Sequence, residues 1–155
     1  MNTIALLVTA VSLASGHAGA PCTPGMTKLA GEPARVFCGS AQATARVAGR
    51  RYRFTGGVCA TSFGGFSVNI GTKVFGRPKS APPYFGLLVE SMRSGAHRGG
   101  SVLVGFSQGP FAVSLAAQGG TARTDTTVVL APDLRSGSFS GEDLSGRRVT
   151  GSFTC

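Results

Sequence analysis

Histidine and acidic residues are what this sequence has least of, and their scarcity excludes much catalytic chemistry. Of the two histidines, His17 lies in the apolar N-terminal stretch, which leaves His97 alone in the rest of the chain. Gly105-Phe106-Ser107-Gln108-Gly109 matches the G-x-S-x-G nucleophile elbow. That elbow needs an acid and then a histidine later in the chain, and a helix after the serine. Here His97 precedes Ser107, and Pro110 leads into a strand-like run, so the pattern reads as a turn. One histidine also falls short of the three or four protein ligands of a zinc site, and no two cysteines have C-x-x-C spacing.

Only six residues are acidic. Glu142 and Asp143 are neighbours, which on a strand point to opposite faces, so they read as a charged turn and not a glycosidase pair. Asp125 and Asp133 are isolated. No base, nucleophile and orienting group come together, and no glycine loop ends in Gly-Lys-Ser/Thr. Neither a catalytic residue, a cofactor nor a metal is expected. Apolar runs long enough to span a bilayer, ~20 residues, are lacking as well.

What is present begins with a leader. Residues 1–20 carry no Lys, Arg, Asp or Glu. Ile4 to Ala14 is apolar apart from two hydroxyls, and Ser-Gly-His-Ala-Gly-Ala follows. These are the h-region and cleavage region of a signal peptide, although the n-region, Met-Asn-Thr, lacks the usual Lys or Arg. Cleavage after Ala20 fits the small-x-small rule but puts Pro21 first; cleavage after Ala18 avoids that and leaves 137 residues, enough for one domain. Pro21 directly before Cys22 argues against a lipid-modified cysteine. The expectation is a signal peptide over 1–20, an irregular disulfide-linked segment over 21–41 and a β domain over 42–155.

The formal charge is +9, and twelve of the fifteen basic residues are arginine. Such a balance suits contact with an anionic envelope polymer or lipid headgroups, or else serves solubility. The basic residues are scattered; the one dense cluster is Arg50-Arg51-Tyr52-Arg53. On a strand Arg51 and Arg53 share one face and Tyr52 and Phe54 the other, a solvated face over a buried one. Export makes nucleic acid a poor partner.

Periods near 2 and frequent glycines argue for strands and against helices. Gln42–Val47 and Arg51–Thr55 alternate around Ala48-Gly49, a hairpin whose glycine supplies positive φ. Further strands are expected over Phe66–Ile70, Tyr84–Val89 (buried on both faces), Ser101–Phe106, Phe111–Ala116 and Thr126–Leu130. Loops are expected over Gly76–Pro83 and Arg93–Gly100. The tail repeats itself as Ser136-Gly137-Ser138-Phe139-Ser140-Gly141 and Thr150-Gly151-Ser152-Phe153-Thr154-Cys155, two paired strands joined through Glu142–Arg148. About nine strands and no helix give an all-β fold, a single small β-sandwich or partly open barrel.

Four cysteines, Cys22, Cys38, Cys59 and Cys155, behind an export signal read as disulfides. Three pairings exist. Cys22–Cys38 closes a short loop and Cys59–Cys155 most of the domain. In the rival arrangement, the two-residue turn at Ala48-Gly49 sets Cys38 opposite Cys59 in an unbulged hairpin, leaving Cys22 for Cys155; a bulge at Gly56-Gly57 would spoil that register.

Tyr52-Arg53-Phe54-Thr55-Gly56-Gly57-Val58-Cys59, then Phe66-Ser67-Val68-Asn69-Ile70-Gly71, then the tail from Ser136 to Cys155, resemble the mycobacterial LpqH-type lipoprotein antigen family over roughly residues 45–155. The resemblance implies a compact secreted β domain with a bridge equivalent to Cys59–Cys155, which leaves Cys22 for Cys38. The chain departs from that family in lacking a lipobox and a Ser/Thr-rich tether. The resulting expectation is a non-enzymatic protein secreted to the cell envelope or beyond. It would be an antigen-like or adhesin-like binding module for an envelope or host-surface ligand such as an anionic polymer or lipid. The alternatives are a carrier of a hydrophobic or lipid ligand, which needs a large apolar cavity, and an exported hydrolase inhibitor, which needs a protruding loop braced by a disulfide. A filled core with a flat surface suits the binding module.

The leader makes the first prediction. The intact mass of the exported protein should correspond to a chain beginning near Gly19 or Pro21, with no lipid; a diacylglyceryl adduct on Cys22 would refute it.

Overall fold

The computed structural model describes residues 21–76, 79–115 and 125–155. The expected signal peptide, residues 1–20, lies outside the described residues, as does Ala116 at the end of an expected strand. Thirteen strands form two antiparallel sheets packed face to face, a sandwich and not a closed barrel. The strands are β1 (Gly25–Leu29), β2 (Glu32–Phe37), β3 (Gln42–Val47), β4 (Arg50–Thr55), β5 (Gly57–Ser62), β6 (Gly65–Val74) and β7 (Ala81–Val89), followed by β8 (Gly95–Arg98), β9 (Val102–Gly109), β10 (Phe111–Ser114), β11 (Thr127–Leu130), β12 (Ser136–Glu142) and β13 (Arg148–Thr154). The seven-stranded sheet runs β1-β2-β6-β7-β9-β10, with β5 also on β6; the six-stranded sheet runs β4-β3-β13-β12-β11-β8. Among the described residues the sole helical element is a 3₁₀ turn at Gly99–Ser101.

Alternation builds the core. Phe66, Val68 and Ile70 of β6 and Phe85, Leu87 and Val89 of β7 face inward from one sheet; Tyr52, Phe54, Phe139 and Phe153 face them from the other. Rings meet across the gap: Phe54 with Phe85 at 5.7 Å, Phe54 with Phe106 at 5.5 Å, Phe85 with Phe139 at 5.4 Å and Phe66 with Phe153 at 5.7 Å between centroids. Such tilted pairs are favourable beyond their buried area. The tail repeat has a physical reason. In the β12–β13 register Gly137 opposes Phe153 and Phe139 opposes Gly151, so each copy's ring lies over the other copy's glycine. A Cβ on either glycine would strike that ring.

Several expectations need correction. Segment 21–41 is not irregular: it contains β1 and β2, a hairpin turning at Ala30-Gly31 and paired to the end of β6. Arg93–Gly100 contains β8, which pairs with β11. The loop expected to run to Pro83 ends at Ala81; Pro82 and Pro83 sit where the β7–β9 register shifts, a place where missing N–H groups do least harm. Strand β7 is fully buried on one face alone: Phe85, Leu87 and Val89 are buried, whereas the outward Tyr84, Gly86 and Leu88 are half-buried.

The rival cysteine pairing fails at Gly56-Gly57. β3 and β4 pair in the register that would carry Cys38 to Cys59. At Gly56, φ +80°, the chain leaves the six-stranded sheet, and β5 pairs with β6 in the other. Gly57 then lies so close to β6 that a Cβ would strike the Asn69 carbonyl oxygen. Cys59 thereby faces Cys155 at a Cα separation of 5.6 Å, and Cys22 bonds Cys38 at 5.9 Å. Among the described residues no cysteine is free.

The two bridges should differ in weight. Cys59–Cys155 closes a loop with a sequence separation of 96 and Cys22–Cys38 one of 16. In the chain-entropy account these are worth ~4.7 and ~3 kcal/mol. Cys59→Ser/Cys155→Ser should therefore lower the urea midpoint further than Cys22→Ser/Cys38→Ser. An equal or reversed order would show that the hairpin bridge matters more than loop length allows.

Candidate functional site

The outward residues of the six-stranded sheet form an arginine and hydroxyl face. One row across the strands reads Arg51, Arg46, Thr150, Ser140, Thr127, Arg98; the next reads Arg53, Thr44, Ser152, Ser138, Val129, Ala96. Neither row holds a carboxylate. Arg46 and Arg51 are both exposed and directly opposite, an arrangement that costs about 0.2–1 kcal/mol relative to neutral partners. Local sequence imposes it: the two-residue turn Ala48-Gly49, both at positive φ, fixes the register, and burial of Tyr52 and Phe54 turns Arg51 and Arg53 outward. The dense cluster Arg50–Arg53 does have a solvated face over a buried one. Its cross-strand partner Arg46 was missed, although the turn length carried that signal.

One end of this face is held by the β12–β13 turn. A cavity of about 590 Å³ there is lined by Arg46, Ala48, Gly49, Arg147, Arg148 and Thr150. Asp143 positions Arg147. Its Oδ2 accepts from Arg147 Nε at 2.7 Å and pairs with Nη2 at 2.6 Å, while Oδ1 accepts the backbone N–H groups of Ser145 and Arg147 at 2.9 Å. Burial works against the charge on Asp143, but these hydrogen bonds outweigh it and hold the carboxyl below the usual carboxylate range. The Arg147 guanidinium lies 5.2 Å over the Phe111 ring, which stacks on Tyr52 at 4.9 Å. Asp143 lies in the charged turn expected of the pair, whereas Glu142 is the last residue of β12 and pairs with Arg148.

The other outer face is a glycine-floored trough. Asn69, Gly86 and Gly105 lie side by side on β6, β7 and β9. Tyr84 leans over Gly86 and donates its hydroxyl to Asn69 Oδ1 at 2.9 Å; burial pushes the phenol up to about 12. Three adjoining cavities of about 370, 360 and 650 Å³ share Lys73. Lys73 Nζ lies 5.7 Å from the Tyr84 ring centroid. These hollows are on the surface; the space between the sheets is occupied by the rings of the core.

The remaining sequence candidates are dispersed. Ser107 lies in β9, faces outward opposite Tyr84, and has no hydrogen-bonded base among the described residues. His97 is on β8 in the other sheet, its Nε2 2.9 Å from the Arg93 carbonyl oxygen. Asp125 accepts the Glu142 N–H, a contact between residues 17 apart in sequence, and Asp133 accepts the Arg135 N–H within its own turn. Among the described residues no group of three His, Cys, Asp or Glu side chains could hold a metal ion, and no helix is long and apolar enough to cross a membrane. Comparison with family models, curated proteins and solved structures found no match.

The Asp143 turn has a pH signature. Its carboxylate has a folded pKa below the unfolded value of ~3.9, so its contribution is full above that value and lost as pH falls through the folded pKa. Asp143→Asn should lower the melting temperature at pH 7, and the gap from wild type should close on acidification below about pH 4. A gap that stays constant down to pH 2 would disprove the assignment.

Proposed function

We propose that this chain is a secreted, non-enzymatic β module of an actinobacterial-type envelope, antigen-like or adhesin-like, that holds an anionic polymer against the arginine and hydroxyl face. The observation that carries the reading is the opposition of Arg46 and Arg51 in rows without a carboxylate. A bound chain of negative charge relieves that repulsion, and guanidinium groups bind sulfate, phosphate or carboxylate with paired hydrogen bonds. Hydroxyls at strand spacing, about 4.8 Å, offer further donors and acceptors along the same rows. The two disulfides agree with an oxidising, extracytoplasmic setting, and the LpqH-type resemblance supports the same location. The ring-filled interior speaks against the hydrophobic carrier.

Dextran sulfate and neutral dextran of equal length provide the test. Dextran sulfate should bind and weaken steeply between 50 and 300 mM salt, while neutral dextran should not bind. Arg46→Thr/Arg51→Thr should weaken binding at least tenfold and raise stability by about 0.5 kcal/mol, since the like-charge contact is gone. Lys73→Ser, in the opposite face, should leave binding unchanged. Undiminished affinity in the double variant would remove this face from the function; loss in Lys73→Ser instead would transfer it to the trough.

A further inference from the structure

Three hairpins turn through two residues at positive φ: Ala30-Gly31, Ala48-Gly49 and Phe63-Gly64. Such turns favour Asn, Asp or Gly first, and a bulky residue there is a conformational outlier. Two of the turns carry alanine. The third carries phenylalanine at φ +51°, with a relative exposure of 108%, so nothing among the described residues covers the ring. Phe63 is thus unfavourable for the turn and for solubility at once, and the other two turns show that a small residue serves. Strain of this kind in a native structure points to function.

The tip is also held still. Cys59, four residues before Phe63, is bonded to Cys155 of the opposite sheet, and β5 is paired to β6 along its whole length. Beside the hairpin base runs the Glu90–Ser94 segment, with Glu90 Cα close to Gly65. It contributes Glu90, Arg93 and a half-exposed Met92.

We propose that Phe63 is the anchor of a protein–protein contact, inserted into an apolar, ring-sized pocket of a partner whose rim meets Glu90. One ring on a rigid frame with a polar surround has the form of a binding hot spot, and the disulfide-held hairpin loses little freedom on docking. A bilayer is the weaker occupant. One side chain inserts less apolar surface than a single myristoyl chain, which itself binds only marginally, and the Glu90 carboxylate beside the hairpin base gives no pull toward anionic lipid. The site is separate from the arginine face, so failure of either leaves the other standing.

The test places p-benzoylphenylalanine at position 63, with position 48 as the control turn, and irradiates the protein in the envelope and medium of the producing cells. One discrete protein adduct is expected at 63 and none at 48, suppressed by excess wild type but not by excess Phe63→Ser. With the crosslinked protein purified, Phe63→Ser should bind about thirtyfold more weakly than wild type and Phe63→Tyr within a few fold. Phe63→Asn should melt at or above the wild-type temperature, since the turn prefers asparagine. Phe63→Trp, the sole tryptophan of its chain, should keep its emission unchanged with vesicles of equal phosphatidylcholine and phosphatidylglycerol. The proposal is overturned by the absence of a discrete adduct, by equal competition from Phe63→Ser, by a lower melting temperature for Phe63→Asn, or by a blue shift on vesicles.

Discussion

Rings from two sheets must meet in one layer, and every other surface of the molecule follows from that. Phe54 and Phe139 come from the six-stranded sheet, Phe85 and Phe106 from the seven-stranded one, and each pair in contact spans the gap. With no tryptophan in the sequence, phenylalanine supplies most of the aromatic area. A one-residue slip of β4 would carry Phe54 to solvent and bring Arg53 inward. The cost of such a slip is the burial of a whole phenylalanine, about 1.5–3 kcal/mol, added to the desolvation of a charge. The outward faces are consequently fixed to the same degree as the core.

The second constraint is the change of sheet at Gly56-Gly57. β4 and β5 form almost one continuous ribbon, yet its first half pairs with β3 and its second with β6. This crossing ties the sheets together at one corner, and the Cys59–Cys155 bridge ties them again. It also decides the disulfide pattern. Counted along an uninterrupted hairpin, Cys38 and Cys59 would be partners; after the crossing Cys59 stands opposite Val68 of β6 and bonds Cys155, while Cys38 bonds Cys22.

Strands that alternate over a buried face were legible in the sequence, because burial writes a period of two into the chain. Gln42–Val47, the Arg51–Thr55 run, Phe66–Ile70 and the tail pair all show it. The missed strands lack that mark. β1 is exposed at every position, an edge held by its partner and not by the core. β2 has Pro33 as its second residue and buries little beyond Ala34. β8 is four mostly exposed residues in a glycine-rich, basic stretch. β5 is not among the expected strands, since Gly56-Gly57 signals a bulge but not a change of sheet. The arginine pair was within reach, for a two-residue turn fixes register; Phe63 was not, because exposure is a property of the assembled fold.

Both proposed contacts hang from the β4–β5 ribbon. Its first half shows Arg51 and Arg53 to solvent while Tyr52 and Phe54 hold it down from beneath. Its second half leads through Cys59 to the tip at Phe63. Tyr52 stacks on Phe111, Phe111 lies under Arg147, and Arg147 is held by Asp143, so the cations at the border of the face are braced from the core outward. Arg147 is fixed before any ligand arrives, so its ordering adds little to the entropy cost of binding. The same bracing explains why repulsion between Arg46 and Arg51 is not relieved by local movement: each is on a strand whose opposite face is packed, and the two guanidinium groups can spread only as far as their own side chains reach.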